Sequence, residues 1–561
     1  MPSGNMRSGR GRIKGEEKNQ IWTLPDCVDS PRRSQHYTER SVTIWSAPPN
    51  MAQFLRKTTK ATIGVLTAGS LAACSFEPPL RLPSAPTDKT PYTANSAPEK
   101  TLFTSGRAGT GQQFLYGKTL DGEWWQLFHS SALNALVATG LQNSPTVAQA
   151  QAQLKEAEAS ARINASIFYP QVNGTLQANR SKASAAAFGG NKGGFHYSLI
   201  TGSLDVTYYP DIFGVNKLVY RNSEALVQYQ RWELEAARLT LSGNIVTAAV
   251  NAAATQAQIA ATHSIIAHEH ELLTLTENQY RAGAVPYLNV VNQQSQLAGQ
   301  MATLPPLEQQ LSVYRHQLAI LVGEFPAQSR IPQFRLASIT LPGKIPVSLP
   351  STLLKQRPDI QAALAQMKAA NAKIGEARAQ FYPTVQLSAA IGSTASQPGL
   401  FFNPFSSIWS LVGSLAQPIF QGGKLEAQES EANAAYEVTY QQYRATVLGA
   451  FEQVADSLRA LEHDAETLKA EEESLGAARQ ALKLSEASYR AGAIDYLSLL
   501  ASQIQYSTAK IAVVRAKSQR YQDTAALLVA LGGGWWSGQP AVAEPPEPVQ
   551  MKASSPIPAH D

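Results

Sequence analysis

Cysteine is nearly absent: the chain has two in 561 residues, Cys27 and Cys74. That excludes a disulfide-stapled scaffold and leaves no thiolate set for a structural zinc site. Long hydrophobic runs are also missing. No stretch of 18 or more apolar residues occurs, so no helix is expected to remain across a bilayer. Any membrane crossing must then use β-strands. Charge of one sign is scarce as well. The net charge is +5. Residues 1–50 carry +3 and residues 51–73 another +3, which leaves −1 for residues 74–561. A body without basic excess gives no electrostatic footprint for nucleic acid. Hydrophobic residues make up 44%, too many for a disordered chain.

Signatures of chemistry are lacking too. No nucleophile–base pair or pair of carboxylates stands out, so no enzyme is expected. His263, His268 and His270 do not share one helical face, which argues for a solvated surface and against a metal site. Gly106, Gly109 and Gly111 neither follow a strand nor open a helix, so they do not form a phosphate loop.

What is present begins with a targeting segment. Met51 to Lys60 contains Arg56, Lys57 and Lys60, and Ala61 to Ala73 is a short apolar stretch that ends in Leu71-Ala72-Ala73-Cys74. This is the pattern of a lipoprotein signal peptide over 51–73, with Cys74 as the lipidated new N-terminus. Acyl chains contribute about 0.8 kcal/mol per buried methylene, enough for firm anchoring when several are attached. Apart from that covalent lipid no cofactor is expected. A secretory n-region belongs near the start of translation, so residues 1–50 are expected to be a gene-model extension. Residues 74–120, rich in Pro, Ser and Thr, read as an extended lipidated leader.

The remainder is organised by an internal repeat. Asn143-Ser144-Pro145 opens a segment that reaches Phe168-Tyr169-Pro170, and Gln356-Arg357-Pro358 opens one that reaches Phe381-Tyr382-Pro383 at the same Pro-to-Pro interval. Phe213 with Lys217-Leu218 recurs as Phe420 with Lys424-Leu425. Tyr280-Arg-Ala-Gly-Ala-Val-Pro-Tyr-Leu288 recurs as Tyr489-Arg-Ala-Gly-Ala-Ile-Asp-Tyr-Leu497, identical at seven of nine positions. The spacing predicts a first repeat over 121–330, a linker over 331–350, a second repeat over 351–535 and a disordered tail over 536–561.

Each repeat reads as the same series of elements. A helix (about 143–167, then 351–380) stops before the Pro of Phe-Tyr-Pro. A strand follows: Val172, Gly174, Leu176 and Ala178 alternate with Asn173, Thr175, Gln177 and Asn179, and Val385, Leu387, Ala389 and Ile391 alternate with Gln386, Ser388 and Ala390. A second strand is expected at about 197–209 and 407–417. Then come helices of about 217–282 and 424–491, each roughly 100 Å long. After the Arg-Ala-Gly turn a return helix covers about 287–322 and 496–531. Four strands cannot close a barrel, and an open edge in lipid is costly. Copies from other chains must therefore complete it; three copies give twelve strands and room for a water-filled lumen. Tyr208, Tyr209, Phe401, Phe402, Phe405 and Trp409 suit interfacial girdles.

Taken together, the lipobox Leu71–Cys74, the segment Leu353 to Ile360 with Arg357-Pro358-Asp359, the Phe-Tyr-Pro pair, the repeated Tyr-Arg-Ala-Gly, Pro418-Ile419-Phe420 and the terminal Leu531-Gly-Gly-Gly-Trp535 resemble the TolC-like outer-membrane efflux factors, in their NodT-type lipoprotein branch. The resemblance covers about residues 74–536. It implies a homotrimer with a twelve-stranded transmembrane β-barrel, four strands per chain, continued by a long periplasmic α-helical barrel. It implies docking to a periplasmic adaptor and an inner-membrane pump of the resistance-nodulation-division type, with small molecules such as drugs, toxic compounds or metal ions leaving through a passive duct in the outer membrane. The same fold also serves type I protein secretion, and a non-conducting envelope coiled coil is the alternative of a different class. The resemblance places adaptor contact at the helix tips, here Arg281, Gly283, Arg490 and Gly492. It also leads one to expect an aspartate ring nine residues after each turn glycine. Those positions are Asn292 and Ala501, so the carboxylate ring is missing. The periplasmic constriction is expected to use Leu497, with Asp495 and Arg490 paired beside it.

Overall fold

The computed structural model describes residues 76–534, apart from 85, 89, 94–97, 121 and 190–192. Cys74, residues 1–50, the signal peptide 51–73 and the tail 536–561 lie outside the described residues. In chain order the elements are β1 (Gln113–Tyr116), α1 (Ser131–Asn143), α2 (Pro145–Ala165), β2 (Gln171–Ser184), β3 (Gly194–Tyr208), α3 (Val215–Arg281), α4 (Tyr287–Ala302), α5 (Leu304–Leu321), β4 (Lys344–Val347), α6 (Pro350–Gln356), α7 (Pro358–Ala379), β5 (Thr384–Ala395), β6 (Ser407–Ala416), α8 (Lys424–Arg490) and α9 (Tyr496–Ala530). Helix, two strands, long helix and return helix thus occur in the same order in both halves. The two long helices, α3 and α8, are 67 residues each, so each runs about 100 Å.

Proline decides where the helices break. A single return helix over 287–322 was expected; the chain instead forms α4 and α5, separated at Thr303. Pro305 and Pro306 have no N–H to give to the preceding turn, so the ladder stops and restarts. Likewise the helix expected over 351–380 is two. Arg357 adopts an extended ψ of 122° before Pro358, which opens α7.

The four long strands form one antiparallel sheet in the order β2-β3-β5-β6. Its ladders are regular: Val172 faces Val206, Leu204 faces Ile391, and Ala389 faces Leu411. The outer strands β2 and β6 have no further strand partner among the described residues. A second, two-stranded parallel sheet pairs β1 with β4. It joins residues that the sequence pattern placed in the leader and in the inter-repeat linker.

The main core lies around this small sheet, where α1, the middles of α3 and α8 and the last turns of α9 meet. Phe128, Val137, Ile245, Leu458, Tyr521 and Leu528 are buried there. The leader runs along the helices. Phe76 packs on Tyr382 at 4.5 Å between ring centres, and Glu77 pairs with Arg221 at 2.6 Å. Tyr92 Oη donates to the Ser348 carbonyl at 2.8 Å. Farther along, Arg520, completely buried on α9, donates to the carbonyls of Ala108 and Thr110. A guanidinium taken out of water needs such acceptors, and leader backbone supplies them.

Candidate functional site

Both helix tips are closed by the same backbone device. At the end of α3 the Gly283 N–H reaches the Tyr280 carbonyl at 2.9 Å and the Ala284 N–H reaches Gln279 at 2.8 Å. At the end of α8, Gly492 reaches Tyr489 at 3.0 Å and Ala493 reaches Ser488 at 2.8 Å. This is the Schellman pairing, which needs a left-handed residue after the helix. Gly283 has φ 74° and Gly492 φ 70°. A side chain there would meet no atom within 4 Å, so glycine is required by conformation and not by crowding. Arg281 and Arg490 are exposed beside the turns.

The tips differ in how their tyrosines are used. Tyr489 and Tyr496 are 5% and 4% exposed and sit edge-on at 6.2 Å within an apolar cluster with Leu272, Leu482 and Leu499. Tyr280 and Tyr287 make the equivalent pair at 5.3 Å but are 44% and 57% exposed. The second tip therefore leans on the first helix pair, whereas the first tip leaves its aromatic pair open to solvent.

Polar contacts tie the two helix pairs together just above the tips. Tyr496 Oη donates to Gln293 Oε1 at 2.9 Å, and Gln293 Nε2 donates to Glu269 Oε2 at 2.5 Å. Burial raises the Glu269 carboxyl above the usual range against the opposing effect of Gln293, and pushes Tyr496 up to about 12. His268, expected on a solvated surface, instead points Nε2 at Glu486 Oε1, 2.7 Å away on α8. Sequence reading missed Glu269, Gln293 and Glu486 because nothing local marks a residue whose partner lies on another helix.

The residues expected at a constriction fall out as follows. Leu497 is exposed at the start of α9, Ala501 is exposed one turn later, and Asn292 is half-buried on α4. Asp495 does not pair with Arg490 within the chain. It caps α9 by accepting the Ser498 N–H at 2.9 Å, and the Ser498 hydroxyl first and this N–H second hold its carboxyl below the usual range.

Between the helix pairs lies a cleft of about 1100 Å³ bordered by Thr262, Gln296, Asp464, Ile504 and Arg515. Asp464 is pushed up to about 7, by burial first and second by its neighbour Asp523, whose carboxylate accepts from the protonated form. No group of three metal-binding side chains occurs among the described residues.

The four-stranded sheet has one apolar face and one mixed, mainly polar face, on which Phe195, Tyr197, Leu199, Ile408 and Val412 also stand. Register places Val172, Leu176, Leu204, Val206, Leu387, Ile391, Leu411 and Leu415 on one face. Asn173, Thr175, Gln177, Ser203, Asp205, Gln386, Ser388 and Ser414 are on the other. Leu176, Trp409 and Leu411 are more than three-quarters exposed or close to it, at 76%, 79% and 75%. An apolar face this open needs a nonaqueous neighbour. No helix of the described residues is long and apolar enough to cross a membrane.

The chain matches the model of the family described as "Outer membrane efflux protein" over residues 136–324 and 349–533. It is 30% identical over 426 residues to the pyoverdine export outer membrane protein OpmQ of Pseudomonas aeruginosa, covering 75% of this chain and 89% of that one. It is 30% identical over 500 residues to the outer membrane protein OprJ of the same species, covering 87% and 98%. Among solved structures, the outer-membrane channel OprN superimposes with a TM-score of 0.75 at 26% identity, over 82% of this chain and 100% of that one. VceC from Vibrio cholerae gives 0.68 at 29% identity, over 73% and 98%. With both matched segments spanning the sheet, the long helices and the tips described above, the chain belongs to the outer membrane efflux protein family.

Proposed function

We propose that this protein is the passive outer-membrane duct of a tripartite efflux system. Three copies close a twelve-stranded barrel, and their helices continue it as a periplasmic tube. One observation carries the reading: a sheet with one apolar and one mainly polar face and two unpaired edges is joined directly to two helices of 67 residues. In lipid each unpaired edge group costs several kcal/mol, so the edges of β2 and β6 must find copies of each other. The polar face then lines water and the apolar face meets acyl chains.

The tips at Arg281, Gly283, Arg490 and Gly492 contact a periplasmic adaptor, and an inner-membrane pump of the resistance-nodulation-division type supplies the energy. The open Tyr280–Tyr287 pair supports a docking role for the first tip. Cys74 carries the lipid; two residues on, Phe76 is fixed against Tyr382 where the sheet meets the helices, a height that suits the near membrane surface. Small molecules are the proposed cargo, since relatives are named for pyoverdine export and for antibiotic and toluene efflux. The protein has no chemistry of its own to perform. Planar-bilayer recording of the purified protein tests this: discrete channel openings are expected, and a trimer that conducts nothing would assign it to a structural spacer.

A further inference from the structure

The charges of the sheet are distributed unevenly between its faces. Along β2 and β3 the register pairs Ala178 with Ile200, then Arg180 with Ser198, then Lys182 with His196. The ladder is regular throughout, so even-numbered residues of both strands share one face. That face is the apolar one, with Val172 and Leu176 below. Arg180, Lys182 and His196 therefore continue the lipid-facing surface and do not point into the lumen.

Their height is set by the second hairpin. β5 ends at Ala395, which pairs with Ile200. Arg180, Lys182 and His196 stand on the part of the first hairpin that rises beyond it. From Val385 to Ala395 the strand rises about 34 Å, or about 25 Å along the membrane normal at a barrel tilt of roughly 40°. That equals the apolar band of an outer-membrane barrel. Aromatic rings mark its upper rim. A side chain at Gly202 would meet the Phe401 ring at 2.6 Å, which places that ring on this face, and Phe402 and Phe405 beside it are 93% and 98% exposed. The first outward positions above the rim are the basic ones.

No acidic residue of the four strands stands on that face. Asp205 is the sole acidic residue of the four strands. It lies on the polar face near the helix end, held by Ser203 Oγ at 2.9 Å. No ion pair to Arg180 or Lys182 occurs among the described residues. Both side chains are exposed. A planar guanidinium and an ammonium at successive outward positions match the oxygens of phosphate groups.

We propose that Arg180, Lys182 and His196 form a rung that binds the phosphate groups of a phosphorylated saccharolipid in the outer leaflet around the barrel. The proposal rests on the channel reading above, because only there does this face meet lipid. Three copies of the chain would present three such rungs.

The test uses the purified full-length protein in detergent and native mass spectrometry, with bis-phosphorylated lipid A, dephosphorylated lipid A and phosphatidylglycerol as probes. The wild type is expected to retain the phosphorylated lipid about tenfold more than the dephosphorylated one, as a pair of charge-assisted contacts allows. Arg180→Gln with Lys182→Gln should erase the preference, while Lys182→Arg keeps it. Equal retention of both lipid A forms by the wild type, unchanged preference in the double variant, or equal retention of phosphatidylglycerol would each overturn the proposal. Bilayer conductance separates the two readings. A conducting wild type without phosphate preference overturns the lipid rung alone, and a protein that neither inserts nor conducts overturns the channel reading and the rung with it.

Discussion

Tyr496 donates its hydroxyl hydrogen to Gln293 across 2.9 Å and joins the second return helix to the first, within a core where Gln293 has no exposed surface at all. Gln293 passes the contact to Glu269 on α3. Three helices are thus linked at the end of the molecule that must open and close if the protein is a duct. Losing one donor leaves a buried acceptor unpartnered, at about 1–3 kcal/mol.

Tyr496→Phe removes the hydroxyl and keeps the ring in its apolar cluster. Amide hydrogen exchange over 287–293 and 496–503 should rise by at least about fivefold, as a loss of about 1–3 kcal/mol dictates. Trimer yield should be unchanged. Unaltered exchange would show that the link carries no restraint.

Gly283→Val with Gly492→Val forces β-branched residues into left-handed backbone, at about 1–3 kcal/mol each. The glycines meet no neighbour within 4 Å, so the strain stays at the tips. Export measured in cells should be abolished while trimers still reach the membrane fraction. Wild-type export would remove the tips from the function.

Arg520→Met deletes the guanidinium that holds the carbonyls of Ala108 and Thr110. The cost is about 2–3 kcal/mol, that of charge-assisted hydrogen bonds to buried acceptors. The leader should detach first. Limited proteolysis is expected to cut near 101–112 in the variant and to leave the wild type intact there.

Acid should favour the helix pairs at Asp464. Its carboxyl is pushed from about 3.8 to about 7 by burial and by Asp523, with Arg520 and His463 opposing. A folded state with the higher value holds its proton longer than the unfolded chain, so this site loses stability as pH rises from about 4 to about 7 and recovers it on acidification. Asp464→Asn abolishes the dependence. Thermal denaturation should show the variant more stable than wild type at pH 8 and no better at pH 4, and equal midpoints at pH 8 would contradict the assignment.

The proposed lipid at Cys74 should make the N-terminal peptide of the membrane-extracted protein heavier than its sequence mass. Cys74→Ser should remove that added mass. An unmodified cysteine in the wild type would show that the anchor is absent.

Much of this was legible before any coordinates. Alternation at Val172 to Asn179 and at Val385 to Ile391 fixes which side of each strand is apolar, because successive side chains point to opposite faces. The repeated Tyr-Arg-Ala-Gly marks both tips, since a helix ending in a left-handed turn calls for glycine. The prolines that split the return helix and the first helix of the second repeat were in plain view. A uniform Ala- and Gln-rich composition concealed their effect.

Composition and periodicity therefore settled the two long helices, the four long strands and the apolar side of each strand, all of which depend on backbone geometry within a few residues. The folded structure decided the rest: the pairing of β1 with β4 across more than two hundred residues, the seat of Arg520 against the leader, the tie from Tyr496 to Glu269, and the overhang that lifts Arg180 and Lys182 past the end of the second hairpin. Such contacts form because packing brings distant segments together, and no local pattern encodes which distant partner a side chain will meet.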